Sequence, residues 1–115
     1  MPRKLDEKDL TIFRKLAPEY ADVICPGAGH AFQSILPPVS NHVADDADDF
    51  AERIRRLSDE DWQYLTEAIL KGRESLSCIP EEDVEAVLAE ITAHVSEDAA
   101  ERVRRLYHLS ECGVL

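Results

Sequence analysis

The strongest constraint on the fold is a pair of short phrases that recur along the chain and that both describe helices. The phrase DDFAERIRRL at 48–57 returns as EDAAERVRRL at 97–106, with seven of ten positions identical. The phrase LSDEDW at 57–62 sets Ser58 three residues before Asp61, which is the pattern of a helix-capping box. Within and after both phrases, apolar residues recur at spacings of three and four. Each helix therefore presents one apolar face to a core.

Capping and helix-stop signals predict one all-α domain over residues 1–115 with five main helices. These helices are expected over 6–20, 46–57, 59–71, 81–95 and 97–110. Pro18 should kink or end the first helix, and Gly72 should terminate the third. No segment alternates apolar and polar residues between turn signals, so strands are not expected.

The connector at 21–45 is the one stretch that helix-building rules do not explain. It holds three of the six prolines and two of the four glycines, and it has no charged residue between Asp22 and Asp45. A short helix over 31–36, stopped by the two prolines at 37–38, is expected in an ordered and partly buried connector. Its apolar side chains either complete the core or form an exposed partner-binding patch, and they are Phe32, Ile35 and Leu36.

The repeated phrase also predicts a duplicated helical hairpin. Residues 81–106 resemble a shorter version of the unit at 5–57, with the connector inserted between its two helices. Capped amphipathic helices resemble one another by construction, and this alternative accounts for the shorter echoes. Duplication predicts that Ile54 and Val103 are equally buried and that Arg55 and Arg104 are equally exposed.

The net charge of −11 indicates what kind of partner the surface favours. The whole excess lies in residues 45–115, which carry nineteen acidic and eight basic side chains. Such a surface repels nucleic acid and anionic membrane and favours a basic partner. Four of the six arginines in the repeated phrases have an acid four residues earlier. The pairs are Asp49 with Arg53, Glu52 with Arg56, Asp98 with Arg102 and Glu101 with Arg105. Internal ion pairing is thus favoured over phosphate binding by a helix-turn-helix.

The expected cellular location is inferred from membrane, signal and disulfide features that the sequence does not show. It has no apolar run of the roughly 18 residues that a membrane helix needs, and no apolar signal segment follows its first residues. The three cysteines are scattered and odd in number, unlike a secreted disulfide framework. We therefore expect a cytoplasmic protein with reduced thiols.

Cysteine and histidine offer an alternative function, a small metal- or thiol-dependent site. The candidate ligands are Cys25, His30, Cys78, His108 and Cys112. His108 and Cys112 lie four residues apart on the last helix and would face the same way. No C-x-x-C or H-x-x-x-H spacing is present, and buried cysteine is commonly a small hydrophobic residue.

These observations favour a non-enzymatic acidic helical module that binds another protein or a second copy of itself. No cofactor is predicted, and neither nucleic acid nor membrane is an expected partner. The metal or thiol protein is the first alternative, and a nucleic-acid-binding helix-turn-helix is the second.

Overall fold

Every regular element in the described chain is a helix, which confirms the all-α prediction. The computed structural model describes residues 7–20, 35–74, 76 and 79–111. Its helices are α1 (Glu7–Leu16), α2 (Leu36–Pro38, followed by a π-helical turn at Val39–Val43), α3 (Ala47–Ile54), α4 (Asp59–Leu70), α5 (Glu81–His94) and α6 (Glu97–Glu111). Within these ranges no helix is long and apolar enough to span a membrane.

Helix α5 lies at the centre of the packing. It contacts α3, α4 and α6, while α1 packs on α3. Its apolar residues at three- and four-residue spacing are all buried, and they are Val84, Val87, Leu88 and Ile91. The largest side chains buried with them are Trp62, Phe13 and Phe50. Removing these surfaces from water is the main force that holds the helices together.

The corner between α3 and α4 is built by the predicted capping box. The Ser58 hydroxyl accepts from the Asp61 N–H, and the Asp61 carboxylate accepts from the Ser58 N–H, both at 3.2 Å. Leu57 and Trp62, on either side of the cap, are both buried in the core. The expected helix over 46–57 ends earlier, at Ile54. The Arg56 and Leu57 N–H groups then donate to carbonyls three residues earlier, before Ser58 takes the extended backbone that caps α4.

Asp61 also ties this corner to α1. Its carboxylate is 1% exposed and accepts from Lys15 Nζ at 2.5 Å and from Lys8 Nζ at 3.3 Å. Burial alone disfavours the charged form. Hydrogen bonds from Lys15, from the Ser58 N–H and from Lys8 outweigh it, so the pKa of Asp61 lies below its ordinary value. One carboxylate thus caps α4 and holds α1 beside it.

Gly72 terminates α4 as predicted. Its φ of +78° lies in the left-handed region that glycine adopts without strain. The Gly72 N–H donates to the Ile69 carbonyl at 3.1 Å, and the Arg73 N–H donates to the Ala68 carbonyl at 2.8 Å. These two bonds form a Schellman motif, which satisfies carbonyls at the helix end. Pro18 likewise follows the end of α1, where residues 18–20 form a single 3₁₀ turn.

The connector differs from the sequence prediction at its prolines. Pro37 and Pro38 lie in the first turn of α2, where a missing N–H costs nothing. The Ile35 N–H, just before this turn, donates to both oxygens of the buried Glu74 carboxylate at 3.0 and 2.8 Å. Residues 39–43 then continue with wider hydrogen bonding, such as the Ala44 N–H to the Val39 carbonyl. The expected helix at 31–36 lies mostly outside the described residues.

The two repeated phrases are alike in part of their packing. Ile54 and Val103 are both fully buried, and Arg55 is exposed while Arg104 is partly so. The helices differ in length, with 8 residues in α3 and 15 in α6. Their first arginines differ most, since the side chain of Arg53 is 10% exposed and that of Arg102 is 63% exposed. Duplication remains a prediction.

Arg53 joins α3 to the end of α1. Its guanidinium donates to the Leu16 carbonyl at 2.8 Å, to both oxygens of Glu19 at 2.9 Å and to Asp49 at 3.1 Å. These hydrogen bonds lower the pKa of Glu19 to about 2. The fork geometry that makes such bidentate pairing possible is specific to arginine.

We expect Arg53→Ala to lower the free energy of unfolding by about 2–4 kcal/mol, because it leaves the Leu16 carbonyl without this donor. Arg102→Ala removes the matching residue of the second phrase and should cost less than about 0.5 kcal/mol. Urea denaturation of both variants measures the difference. Equal losses in the two variants would contradict the assigned role of Arg53.

Candidate functional site

A surface groove lies between α5 and α6. The two helices are joined by the two-residue turn at 95–96 and pack along their length as a hairpin. The groove between them has a volume of about 490 Å³. Its floor is apolar and its rim is mainly acidic, so the two parts differ in what they can bind.

Small side chains give the groove its depth. Leu88 and Ala100 form a buried base, and Ala89 lies beside them and is exposed. Ala89 on α5 and Ala100 on α6 both line the groove. Because neither side chain extends beyond Cβ, the helices leave open space above Leu88 that a partner side chain can fill. An apolar base with polar groups around it is the usual build of a binding site.

The rim carries four carboxylates and one arginine, namely Glu85, Glu97, Asp98, Glu101 and Arg104. Arg104 forms a bidentate pair with Glu85, with N–O distances of 2.7 and 3.2 Å, which ties α6 to α5. This pairing raises the pKa of Arg104 and lowers that of Glu85. At the other end of the groove, Glu97 accepts no hydrogen bond from the residues that the structure describes.

The groove lies in an acidic part of the molecule. Residues 81–111 contain nine carboxylates and three arginines. Two of those arginines pair along the surface of α6 with rim acids, Arg102 with Asp98 at 3.0 Å and Arg105 with Glu101 at 3.6 Å. Both pairs are exposed, so they are weak and can exchange with a partner's cation at little cost.

The predicted ion pairs of the arginine trios form with one exception. Arg53, Arg102 and Arg105 each pair with the acid four residues earlier. Arg56 instead donates to the Lys15 carbonyl at 3.2 Å, and the expected bond with Glu52 does not form. Arg56 lies beyond the end of α3 at Ile54, where the chain no longer keeps the four-residue helical spacing.

The candidate metal or thiol residues can be placed only in part. His108 is exposed on α6 and lies edge-on to Tyr107, with ring centroids 5.7 Å apart. The other four, Cys25, His30, Cys78 and Cys112, lie outside the described residues. Within the described ranges, no group of three His, Cys, Asp or Glu side chains could hold a metal ion. The metal or thiol alternative therefore stays a prediction.

The candidate partner-binding residues of the connector are mainly structural where the structure describes them. Ile35 and Leu36 are both fully buried in the core of the chain. At these two positions the connector completes the core instead of offering an exposed patch. Phe32 lies outside the described residues.

Sequence analysis did not find the groove, although the chain contained a signal for it. Glu85 on α5 pairs with Arg104 on α6, and the antiparallel packing of the hairpin then brings Ala89, one turn after Glu85, to the same groove as Ala100, one turn before Arg104. Two alanines facing each other predict a depression, and an acid facing an arginine predicts a cross-helix pair. This signal depends on knowing that α5 and α6 pack directly together.

Comparison of the chain with family models, characterised proteins and solved structures gives no significant match.

The pair of Glu85 and Arg104 should contribute little to stability. Its side chains are 49% and 40% exposed, and exposed ion pairs contribute at most about 1 kcal/mol. We expect Glu85→Gln and Arg104→Met each to lower the free energy of unfolding by less than about 1 kcal/mol, as measured by urea denaturation. A loss several times larger would show that the groove depends on this pair to stay formed.

Proposed function

We propose that this protein is an interaction module whose α5–α6 groove binds a basic, partly apolar segment of a partner protein. The observation that supports the proposal is the apolar base of the groove, which lies between carboxylate rims and is open to solvent at Ala89. A partner segment with an aliphatic side chain flanked by lysine or arginine matches both parts of the groove.

The floor supplies the apolar half of the fit. Ala89 and Ala100 leave room for one aliphatic side chain to pack on Leu88. A helical segment is the best-suited partner, since a third helix can lie along the seam of a helix pair with its apolar face inward. Each buried methylene of such an anchor contributes about 0.8 kcal/mol.

The rim supplies the charged half. Glu97 accepts no hydrogen bond from described residues, and Glu101 and Asp98 are held only by exposed arginines. A lysine or arginine of the partner can bind these carboxylates without removing a buried ion pair. The acidic field of residues 81–111 also raises the rate at which a basic segment meets the groove.

The test uses a fluorescein-labelled amphipathic helical peptide with leucine and alanine on one face and lysine on the other. We expect saturable binding in fluorescence anisotropy, weakened by added salt because exposed charges are screened. A peptide with glutamate in place of lysine should not bind. Equal binding of both peptides, or no binding of the lysine peptide, would contradict the proposal.

Matched variants locate the site. Ala89 and Ala93 are both exposed on α5, but only Ala89 lines the groove. Ala89→Trp should weaken binding at least about tenfold by filling the groove, while Ala93→Trp should leave it unchanged. Glu101→Gln should weaken binding about threefold, whereas Glu52→Gln makes the same charge change on α3 and should have little effect. If both tryptophan variants bind like wild type, the peptide occupies another surface.

A second copy of the chain is the competing occupant of the groove. Sedimentation of the wild type without peptide distinguishes the two. A dimer that Ala89→Trp converts to a monomer would assign the groove to self-association and would overturn the proposal of a separate basic partner.

A further inference from the structure

His94 lies at the C-terminal end of α5 between two carboxylates from different helices. Its Nδ1 contacts an oxygen of Asp59, in the first turn of α4, and its Nε2 lies 3.5 Å from Glu90 on α5 itself. The imidazole also stacks on the indole of Trp62, with ring centroids 6.4 Å apart and planes 13° apart. The groups that contact His94 thus come from two helices, α4 and α5.

We propose that Asp59, His94 and Glu90 form a pH-sensitive latch that holds the end of α5 against the start of α4 while the imidazole is protonated. An imidazolium ion donates from both ring nitrogens, so it can bind both carboxylates at once. A neutral imidazole has one N–H and can donate to only one of them. Loss of one proton therefore removes half of the latch.

The charged groups around His94 favour the protonated form, while its partial burial opposes that form. Asp59 and Glu60 belong to the first turn of α4, and Glu90 lies one turn earlier on α5. Glu97 and Asp98 begin α6 across the two-residue turn, where Asp98 is paired with Arg102. The carbonyl end of a helix also favours a cation, and His94 is the last residue of α5.

The hydrogen bond to Asp59, together with the charges of Asp59 and Glu90, raises the pKa of His94 above its ordinary value. A histidine whose pKa is higher in the folded state stabilises that state fully below its unfolded pKa of about 6.5. The contribution is lost as the pH rises through the folded-state pKa. The latch is thus closed in mildly acidic solution and opens as the pH rises.

Trp62 gives a direct readout of the latch. It is the only tryptophan in the chain and it is fully buried. Its Nε1 has no hydrogen-bond partner in the described chain, so packing and the stack with His94 hold the ring. An imidazolium ion stacked on indole quenches its fluorescence more strongly than a neutral imidazole does. The emission of the folded protein should therefore report the protonation of His94.

The experiment measures Trp62 emission of the folded chain between about pH 5.5 and 9, a range centred on histidine titration. We expect a one-proton rise in emission with a midpoint above that of free histidine. His94→Gln should abolish the rise, and Asp59→Asn should move the midpoint to lower pH. His108→Gln changes an exposed histidine on α6 and should give the wild-type curve.

Thermal unfolding of the same variants tests whether the latch stabilises the folded chain. The melting temperature of wild type should exceed that of His94→Gln by more at pH 6 than at pH 8. Asp59 is 75% exposed, so Asp59→Asn should fold. This variant still tests the proposal if His94→Gln fails to fold. A wild-type curve without a transition, or a midpoint that Asp59→Asn leaves in place, would overturn the latch.

Discussion

The buried carboxylate of Asp61 is the interaction on which the described structure most depends. It completes the capping box of α4, and it is also the acceptor for two lysines of α1. A buried charge needs nearly all of its hydrogen-bonding capacity filled, and these donors come from two separate helices. The same first turn carries Trp62 into the core and Asp59 to the end of α5. Hence the direction in which α4 leaves the corner also sets the positions of α1 and α5 around it.

Arginine is used inside this molecule mainly to tie helices together. Arg53 joins α3 to the end of α1, and Arg104 joins α6 to α5. Both are held bidentately by a carboxylate, which satisfies much of their donor capacity within the chain. Most of the acids that outnumber these arginines remain on the surface, many of them in the first turns of helices where they also stabilise the helix dipole. Much of the basic charge is thus committed to intramolecular pairs, and the surface of α5 and α6 keeps its acidic character.

The two sides of α5 show how one helix can both build the core and shape a surface. Val87 and Ile91 face the other helices and are fully buried. Leu88 and Ala89 follow on the side towards α6, where the floor of the groove begins. The C-terminal residue His94 meets α4 at the opposite end of the helix from the pair of Glu85 and Arg104. The proposed groove and the proposed latch therefore use different contacts of the same helix, and each can be tested without the other.

Local chemistry determined much of this fold from the sequence alone. The capping box at Ser58 and the left-handed stop at Gly72 depend on residues within one or two turns, so their patterns are visible in the chain itself. Helix bounds were harder to predict, as the early end of α3 and the prolines at the start of α2 show. At α2 the Ile35 N–H is satisfied by the distant carboxylate of Glu74, which no local pattern reveals. Arg53 and Arg102 stand at the same place in nearly the same phrase, yet one is buried and the other exposed. Only tertiary packing decided this, because a phrase specifies which face of a helix is apolar but not which neighbour that face meets. The groove has the same origin, since the space between Ala89 and Ala100 exists only once α5 and α6 lie side by side.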